Sequence, residues 1–186
     1  MLDLEEYARH KGSLLGALPG IEQPSQKHFE TLIATMFETL DLSKPLYVEG
    51  ESARIGRLSV PIPLVGRMRA ARCIEIEASA DARLAYLLRD YAYLGDDAEL
   101  LAAQLGKLKE AQGKETVARW QAWARDKALS PLFAELMALH YDPHYSRSQS
   151  NNFSAWPARQ SLEADDLTPA GVEALAQAVV GLQNAT

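Results

Sequence analysis

Arginines are concentrated in one segment of the chain, between Glu51 and Glu75. The segment contains no acidic residue, whereas the whole chain has a net charge of −6. Its five arginines are Arg54, Arg57, Arg67, Arg69 and Arg72. A guanidinium is a permanently charged planar fork that can hold two oxygens of one phosphate. The segment can therefore neutralise the phosphates of a ligand or of an RNA, or simply form a solvated basic face.

A second candidate group lies close to the N-terminus. His10, Lys11 and Ser13 combine a titratable ring, a cation and a hydroxyl at the start of a stretch rich in glycine and proline. Side chains of these types can bind an anion or move a proton. A single histidine in a loop is, however, more often without a catalytic role. All three residues are candidate ligand-binding residues.

The clearest helical pattern runs from Ser25 to about Leu40. Its apolar residues recur with the i, i+3, i+4, i+7 spacing of an amphipathic helix. They are Phe29, Leu32, Ile33, Met36, Phe37 and Leu40. Because a helix N-terminus attracts anions, Ser25, Gln26 and Lys27 are candidate ligand-binding residues. An ordinary N-cap at Ser25 would explain most of the same pattern.

Four short segments have the composition of strands. They are Leu2–Glu5, Pro45–Glu49, Cys73–Glu77 and Arg159–Glu163. Alternation within the first strand would place Asp3 and Glu5 on opposite faces. The chain's one cysteine, Cys73, is expected to act as a small apolar residue of its strand.

Helical patterns fill most of the region between residues 82 and 142. We predict helices over 82–94, 98–111 and 115–128, and a further one that begins at Ser130-Pro131 and ends near His140. Pro143 is expected to stop that helix, which leaves 146–154 as a loop. With the helix broken, His140 and His144 lack the spacing of a helical metal pair, so we predict no metal site.

Shorter helices are predicted over 61–68 and from Thr168-Pro169 onward, and Trp120 and Trp123 are expected to pack in a core or lid. Strands that alternate with helices predict an α/β fold with a mainly parallel sheet. The helices between residues 82 and 142 would form an insert that serves as a lid. Arg89, on the first of these helices, is a candidate ligand-binding residue.

Five motifs, spread in order over residues 3 to 148, resemble those of tRNA 2-selenouridine synthase. The run from Glu49 to Arg57 is the most specific of them. The motifs are Asp3-Leu4-Glu5 with His10-Lys11-Gly12-Ser13, Gln23-Pro24-Ser25-Gln26-Lys27, Glu49-Gly50-Glu51-Ser52 with Ile55-Gly56-Arg57, Leu88-Arg89-Asp90-Tyr91, and His140-Tyr141-Asp142-Pro143 with Tyr145 and Ser148.

The resemblance implies a function in tRNA modification. Members of this family replace sulfur by selenium at the 2-position of the wobble uridine. Selenophosphate donates the selenium, and a geranylated intermediate derives from geranyl diphosphate. The family combines a rhodanese-like domain, which carries a reactive cysteine, with a P-loop domain. tRNA is therefore the expected partner, and selenophosphate and geranyl diphosphate are the expected substrates, with no cofactor in this chain.

The resemblance also assigns roles to the residues around the arginine-rich segment. In P-loop folds an acidic residue at the end of a strand commonly binds magnesium or orients a nucleophile through water. Glu49 and Glu51 are accordingly the predicted catalytic residues, although Glu49 could equally be an ordinary carboxylate at a strand end. Ser52, Arg54 and Arg57 are predicted to bind diphosphate, selenophosphate or the tRNA backbone.

The chain departs from the family at its start. It contains no G-x-x-x-x-G-K-[S/T] phosphate loop. The resemblance therefore predicts a P-loop nucleotide-kinase-like domain over residues 1–186 that lacks its first strand and its rhodanese-like partner domain, and that is inactive alone. Unpaired sheet edges in such a domain would favour self-association. Met1 is then expected to be the start of a truncated gene or a wrongly assigned start codon.

Two other interpretations stay open at this point. The chain could be a fragment of another P-loop small-molecule kinase, or a non-catalytic module that binds tRNA or a protein through its arginine-rich segment. Composition fits a globular protein, with 47% hydrophobic and 24% charged residues. No apolar run reaches the roughly 20 residues of a membrane span, and no secretion signal is present. We therefore expect a cytoplasmic protein without a membrane partner.

Overall fold

The computed structural model describes residues 1–41, 43–50, 52–164 and 166–183. It divides into two compact units, a first unit, Met1–Ala71, and a second unit, Arg72–Thr186. Within the described residues, no helix has both the length and the apolar character needed to cross a membrane.

The first unit surrounds a small apolar core. Its elements are α1 (Leu4–Ala8), α2 (Gln26–Glu38), β1 (Arg54–Ile55), β2 (Leu58–Ser59) and α3 (Ile62–Ala70). Strands β1 and β2 form an antiparallel hairpin. The core residues of this unit are Leu2, Leu4, Ala8, Phe29, Ile33, Ile55, Leu58 and Val60. Burial of these side chains against one another holds α1, α2 and the hairpin together.

The predicted strand over residues 2–5 is wrong, because helix α1 begins at Leu4. The Asp3 side chain accepts a hydrogen bond from the Glu6 N–H at 2.7 Å and so caps the helix. Leu4 and Ala8, four residues apart, are both fully buried. Asp3 and Glu5 consequently do not alternate across a strand. The helix ends at Ala8, and the next residue, Arg9, has a left-handed φ of 52°.

The predicted strand over residues 45–49 is reduced to a single bridge. Val48 pairs with Leu2 in parallel orientation, and the Leu2 N–H donates to the Tyr47 carbonyl at 2.8 Å. Pairing stops there because the chain enters α1 two residues after Leu2. The residues next to Val48 therefore have no extended segment near Leu2 with which to form further strand pairs.

The predicted helices of the first unit are confirmed. Ser25 caps α2 by accepting a hydrogen bond from the His28 N–H at 3.2 Å, and Phe29 and Ile33 of the apolar stripe are buried. Helix α2 ends at Glu38, slightly before the expected Leu40. Helix α3 carries Pro63 in its first turn, where a missing N–H costs no hydrogen bond.

The second unit is mostly helical. It contains β3 (Ile74–Glu77), α4 (Ala80–Asp90), α5 (Ala98–Gly106), α6 (Lys109–Gln112), α7 (Lys114–Arg125), α8 (Leu129–Leu136), α9 (Asp142–Asn152), β4 (Gln160–Glu163) and α10 (Pro169–Gln183). Short 3₁₀ segments cover Ala92–Gly95 and Trp156–Ala158. Trp120 is fully buried, as expected for a core residue, and its Nε1 donates to Glu135 at 2.9 Å.

The expected stop at Pro143 is wrong, because the helical path continues through a π-helical turn, Met137–Tyr141, into α9. Within that turn the Asp142 N–H donates to the carbonyl of Met137, five residues earlier. The wider turn makes room for the proline ring, and Pro143 falls in the first turn of α9, where its missing N–H costs little.

The predicted loop over residues 146–154 is also wrong, because α9 runs to Asn152. Its side chains are polar on all sides, so the sequence shows no apolar period. The Ser150 hydroxyl and the Asn152 amide donate to carbonyls four residues earlier, at 2.8 and 2.9 Å. Helix α8, expected to begin after a cap at Ser130, instead follows Ala128, which makes no side-chain cap.

The predicted strands β3 and β4 are confirmed, and they pair in parallel with Ile76 opposite Leu162. Arg159 forms an ion pair with Glu75 beside this pair. In the described part of the chain the named strands make two separate two-stranded sheets. The mixed α/β class is thus confirmed, whereas one mainly parallel sheet is not observed. The P-loop kinase-like arrangement stays a prediction.

Candidate functional site

A cleft of about 640 Å³ lies in the first unit, against α1 and the loop that follows it. Its lining residues are Asp3, Glu5, Glu6, Arg9, His10, Lys11, Leu18 and Ile21. The cleft therefore has an acidic wall from α1, a basic turn after it and an apolar wall from the loop. His10 and Lys11 were predicted site residues, and the structure brings both to this cleft.

The basic turn owes its shape to Gly16. The Lys11 N–H donates to the Gly16 carbonyl at 2.8 Å, and His10 forms a bridge with Ala17. A Cβ on Gly16 would lie 2.7 Å from the carbonyl carbon of Lys11, so only glycine permits this close return of the loop. Ser13 lies within the loop, and its N–H bonds to the Lys11 carbonyl. The cleft-lining residues do not include Ser13.

The surroundings of His10 favour the neutral form of its ring. Burial lowers the pKa of its ring below the usual value. Its Nδ1 atom is buried and has no hydrogen-bond partner. An unpaired lone pair is less costly than an unpaired N–H, which favours the tautomer with the proton on Nε2. The positive charge of the cleft accordingly comes from Arg9 and Lys11.

Arg9 was missed as a candidate. Its only signal in the sequence is its place beside His10 and Lys11 in a run of three basic residue types. That signal is weak, because short basic runs usually form solvated surface. Its left-handed backbone, which turns the chain from α1 into the cleft wall, is visible only in the structure.

Glu49 supports the start of α1. Its Oε1 accepts hydrogen bonds from the backbone N–H of Leu4 and of Glu5, the latter at 3.0 Å. Burial raises the pKa of this carboxyl, and three backbone hydrogen bonds, from the N–H groups of Glu49 itself, Glu5 and Leu4, oppose the rise. A carboxylate at a helix N-terminus is stabilising, so this contact alone accounts for the position of Glu49. Glu51, the other predicted catalytic residue, lies outside the described residues.

The hairpin presents Arg54 and Arg57 with exposed side chains. Ser52 makes a local turn by accepting a hydrogen bond from the Arg54 N–H at 3.1 Å and donating to the Arg54 carbonyl. The hydroxyl of Ser52 is therefore engaged within the hairpin. The two guanidinium groups are the parts of this motif best placed to meet a ligand.

Two glutamines attach the hairpin to the rest of the first unit. Gln23 accepts a hydrogen bond from the Arg57 N–H at 2.8 Å and donates to the Ile55 carbonyl at 3.0 Å. Gln26 accepts from the Ser59 N–H at 2.9 Å and donates to the Ser59 carbonyl at 2.8 Å. These contacts explain why glutamines occur at these positions without a ligand.

The remaining predicted residues of α2 have different environments. The Ser25 hydroxyl is used as the N-cap, and the side-chain amide of Gln26 is used by Ser59, so neither is directed at a ligand. Lys27 is exposed on the first turn of α2. Of the three, only Lys27 keeps a charged group at the surface.

Arg89 belongs to the second unit. Its guanidinium donates to the Leu167 carbonyl at 2.6 Å and lies 5.3 Å from the centre of the Tyr86 ring. Nearby on the same helix, Arg83 makes two hydrogen bonds to the Asp142 carboxylate, at 2.7 and 2.9 Å, which raise the pKa of Arg83. The Arg83–Asp142 pair was missed because the two residues are distant in sequence.

No group of three or more histidine, cysteine, aspartate or glutamate side chains suited to a metal ion occurs among the described residues. The prediction that a helix break at Pro143 separates His140 from His144 is nevertheless wrong. His140 and His144 have ring centres 4.8 Å apart, because the helix continues past Pro143. Burial, followed by the nearby His144, lowers the pKa of His140.

The protein is a mixed α/β protein, and its first unit carries cationic side chains at the cleft and on the hairpin. Residues 1–119 match the family model of the tRNA 2-selenouridine synthase AAA domain. The chain belongs to the tRNA 2-selenouridine synthase family. The family assignment suggested by the sequence motifs is thereby confirmed.

Relatives named tRNA 2-selenouridine synthase come from several bacteria. The tRNA 2-selenouridine synthase of Shewanella halifaxensis is 36% identical over 65% of this chain and 32% of its own length. That of Chromohalobacter salexigens is 30% identical over 89% of this chain and 45% of its own length. The enzyme of Alcanivorax borkumensis is 31% identical over 77% of this chain and 47% of its own length. The chain thus spans about a third to a half of these relatives. No solved structure matches the chain.

Proposed function

We propose that this chain provides ligand-binding surface for the conversion of 2-thiouridine to 2-selenouridine at the wobble position of tRNA, through a geranylated intermediate. The membership of the family and the cationic cleft of the first unit support this proposal together. The cleft is the observation on which it rests, because it offers both charge and apolar surface to one ligand.

A prenyl diphosphate has an anionic head and an apolar chain, and the cleft has walls of both kinds. We place the head against Arg9 and Lys11 and the chain against Leu18 and Ile21. The carboxylates of the α1 wall would repel the diphosphate, which favours the basic side of the cleft for the head. His10, which lies between these two cations in the sequence, can accept a proton from a bound ligand and becomes positively charged when it does.

The tRNA backbone is proposed to meet the exposed hairpin. Arg54 and Arg57 are exposed, permanently charged and held on a short two-stranded support. Phosphate contacts of this kind supply affinity and register without reading sequence. Selenophosphate is an alternative ligand for the same guanidinium groups, with Ser52 beside them.

The chemical step needs a reactive group that we place outside this chain. Burial raises the pKa of Cys73, which disfavours the thiolate form that acts as a nucleophile. We propose that the selenium-handling thiol comes from a rhodanese-like partner domain and that the isolated chain binds without turnover. We also propose that Glu49 and Glu51 are catalytic carboxylates and that Arg89 binds a ligand. A cytoplasmic location and self-association through sheet edges are further expectations.

Calorimetric titration with three ligands tests the cleft assignment. Geranyl diphosphate should bind more tightly than inorganic pyrophosphate, which lacks the chain, or geraniol, which lacks the charge. Replacing Lys11 by alanine should lower the affinity for geranyl diphosphate and for pyrophosphate by about tenfold, the order expected for one charged hydrogen bond. Equal binding of geraniol and geranyl diphosphate, or no effect of Lys11→Ala, would contradict the assignment.

A further inference from the structure

Gln23 connects the two groups of cations in the first unit. Its side-chain nitrogen Nε2 donates to the Ala8 carbonyl at 3.2 Å and to the Ile55 carbonyl at 3.0 Å. Its Oε1 accepts a hydrogen bond from the Arg57 N–H at 2.8 Å. One amide group therefore joins the end of α1 to both sides of the hairpin turn.

The main chain of Gln23 also holds the Arg57 side chain. The carbonyl oxygen of Gln23 accepts a hydrogen bond from the Nη2 of that guanidinium. A guanidinium has five N–H donors, so this contact leaves most of them for another acceptor. Because Arg57 is exposed, its long side chain would otherwise sample many rotamers, which a ligand would have to restrict on binding. The main-chain contact to the guanidinium and the side-chain contact to the Arg57 N–H together reduce the cost of that restriction before a ligand binds.

The geometry at Gly56 shows how closely Gln23 approaches the turn. Gly56 has a left-handed φ of 57°, and a Cβ placed on it would lie 2.3 Å from the Gln23 Oε1. The turn between Ile55 and Arg57 is therefore shaped to receive this amide. On its other side, the carbonyl that Nε2 contacts belongs to Ala8, immediately before Arg9 and the basic turn of the cleft.

We propose that Gln23 is a positioning residue, which presents the Arg57 guanidinium to a phosphate group of the tRNA. The inference rests on the proposed function, because it requires that Arg57 contacts the tRNA backbone. It goes beyond that function by assigning the orientation of Arg57 to a residue that touches neither the tRNA nor the reacting atoms.

A double-mutant cycle on tRNA binding separates positioning from simple support of the fold. The 186-residue chain is titrated into fluorescently labelled tRNA that carries 2-thiouridine, and affinity is read from anisotropy. Gln23→Ala keeps the main-chain carbonyl but removes the side-chain acceptor of the Arg57 N–H, which releases the backbone from which the guanidinium extends. Gln23→Ala and Arg57→Ala should each weaken binding about fivefold, within the range of a single charged hydrogen bond. The double variant should bind no more weakly than Arg57→Ala alone.

Arg54→Ala serves as the matched background, since Arg54 lies on the same hairpin but makes no hydrogen bond to Gln23. In that background Gln23→Ala should keep its full effect. Gln23→Met, which keeps the volume of the side chain and removes the hydrogen bonds of its amide group, repeats the test if the alanine variant does not fold. The folded fraction of each variant is measured by circular dichroism at the assay temperature.

The possible failures point to different errors. If Gln23→Ala and Gln23→Met bind tRNA as the parent chain does, the positioning role is wrong and the proposed function stands. An equal further loss in the Arg57→Ala background would identify Gln23 as a general support of the fold, which also overturns the inference. A parent chain whose tRNA binding does not depend on Arg57 would overturn both the inference and the proposed contact of the hairpin with the tRNA backbone, whereas the cleft assignment is tested separately by the calorimetric titration.

Discussion

Replacing Gly56 by alanine tests the packing of the hairpin on Gln23. The backbone at Gly56 is left-handed, with a φ of 57°, and this alone makes alanine unfavourable by about 1 kcal/mol. The new Cβ would also lie 2.3 Å from the Gln23 Oε1. Because that atom ends a flexible side chain, the amide can swing away, at the cost of its hydrogen bonds.

The magnitude follows from those bonds. The Gln23 side chain makes three of them, to Ala8, Ile55 and Arg57. At about 0.5–1.5 kcal/mol each, and with partial replacement by water, their loss adds about 2 kcal/mol. Gly56→Ala should therefore lower the free energy of unfolding by about 3 kcal/mol, a large part of the 5–15 kcal/mol typical of a domain.

Gly20→Ala is the matched control. Gly20 has a similar φ of 67°, and a Cβ there would meet nothing within 4 Å. Gly20→Ala should lower the free energy of unfolding by about 1 kcal/mol, because only the left-handed backbone disfavours alanine there. Urea unfolding followed by circular dichroism gives both values. Equal losses in the two variants would refute the reasoning, and so would a loss at Gly56 that persists in full when Gln23 is already alanine.

Three further predictions concern the second unit and the histidines. Trp120→Ala should lower the free energy of unfolding by about 4 kcal/mol in thermal or urea melts, because Trp120 is fully buried, and a loss below about 1 kcal/mol would show that the core is misplaced. Asp142→Ala should lower the free energy of unfolding by only about 1 kcal/mol, since both side chains of the Arg83–Asp142 pair are more than a third exposed. Asp142→Asn removes the charge and keeps the size of the side chain, and so distinguishes the two contributions. The pKa values of His10 and His140 are lowered in the folded chain, so their stabilising contribution is present above about pH 6.5 and is lost as pH falls through the folded pKa values. Stability measured from pH 7.5 to 5 should fall less steeply in the His10→Gln, His140→Gln double variant, and an unchanged slope would contradict the assigned burial.

Local signals in the sequence predicted those elements whose ends are set by nearby residues. Ser25 caps α2, Pro63 falls in the first turn of α3, and the Thr168 hydroxyl accepts a hydrogen bond from the Gly171 N–H at 3.3 Å at the start of α10. In each case the feature that sets the boundary lies within three residues of it. Short-range rules therefore suffice for these elements.

Two segments whose structure depends on their surroundings were predicted less well, although strands β3 and β4 were predicted correctly. The segment 45–49 has the composition of a strand, but pairing requires a neighbour, and Leu2 offers only one extended residue before α1. The path through Pro143 depends on a π-helical turn that no residue pattern announces. Sequence rules treat proline as a stop because they assume α-helical hydrogen bonding.

The candidate site shows the same division. His10 and Lys11 were predicted from residue type and do line the cleft. Arg9 and the linking function of Gln23 were not, since they depend on a left-handed residue and on contacts between segments up to 34 residues apart. Residue type indicates which side chains can bind an anion, and only the fold shows which of them are already occupied.

The salt dependence of tRNA binding tests most directly whether the hairpin arginines hold the nucleic acid. Affinity of the chain for tRNA is measured over a range of potassium chloride concentrations, for the parent, for Arg54→Ala with Arg57→Ala, and for Lys44→Ala, an exposed cation paired with Asp41. Each lost phosphate contact should reduce the slope of log affinity against log salt by about 1. We expect a reduction of about 2 in the double variant and none in Lys44→Ala. A slope that is the same in all three proteins would contradict the assignment of the tRNA-binding surface.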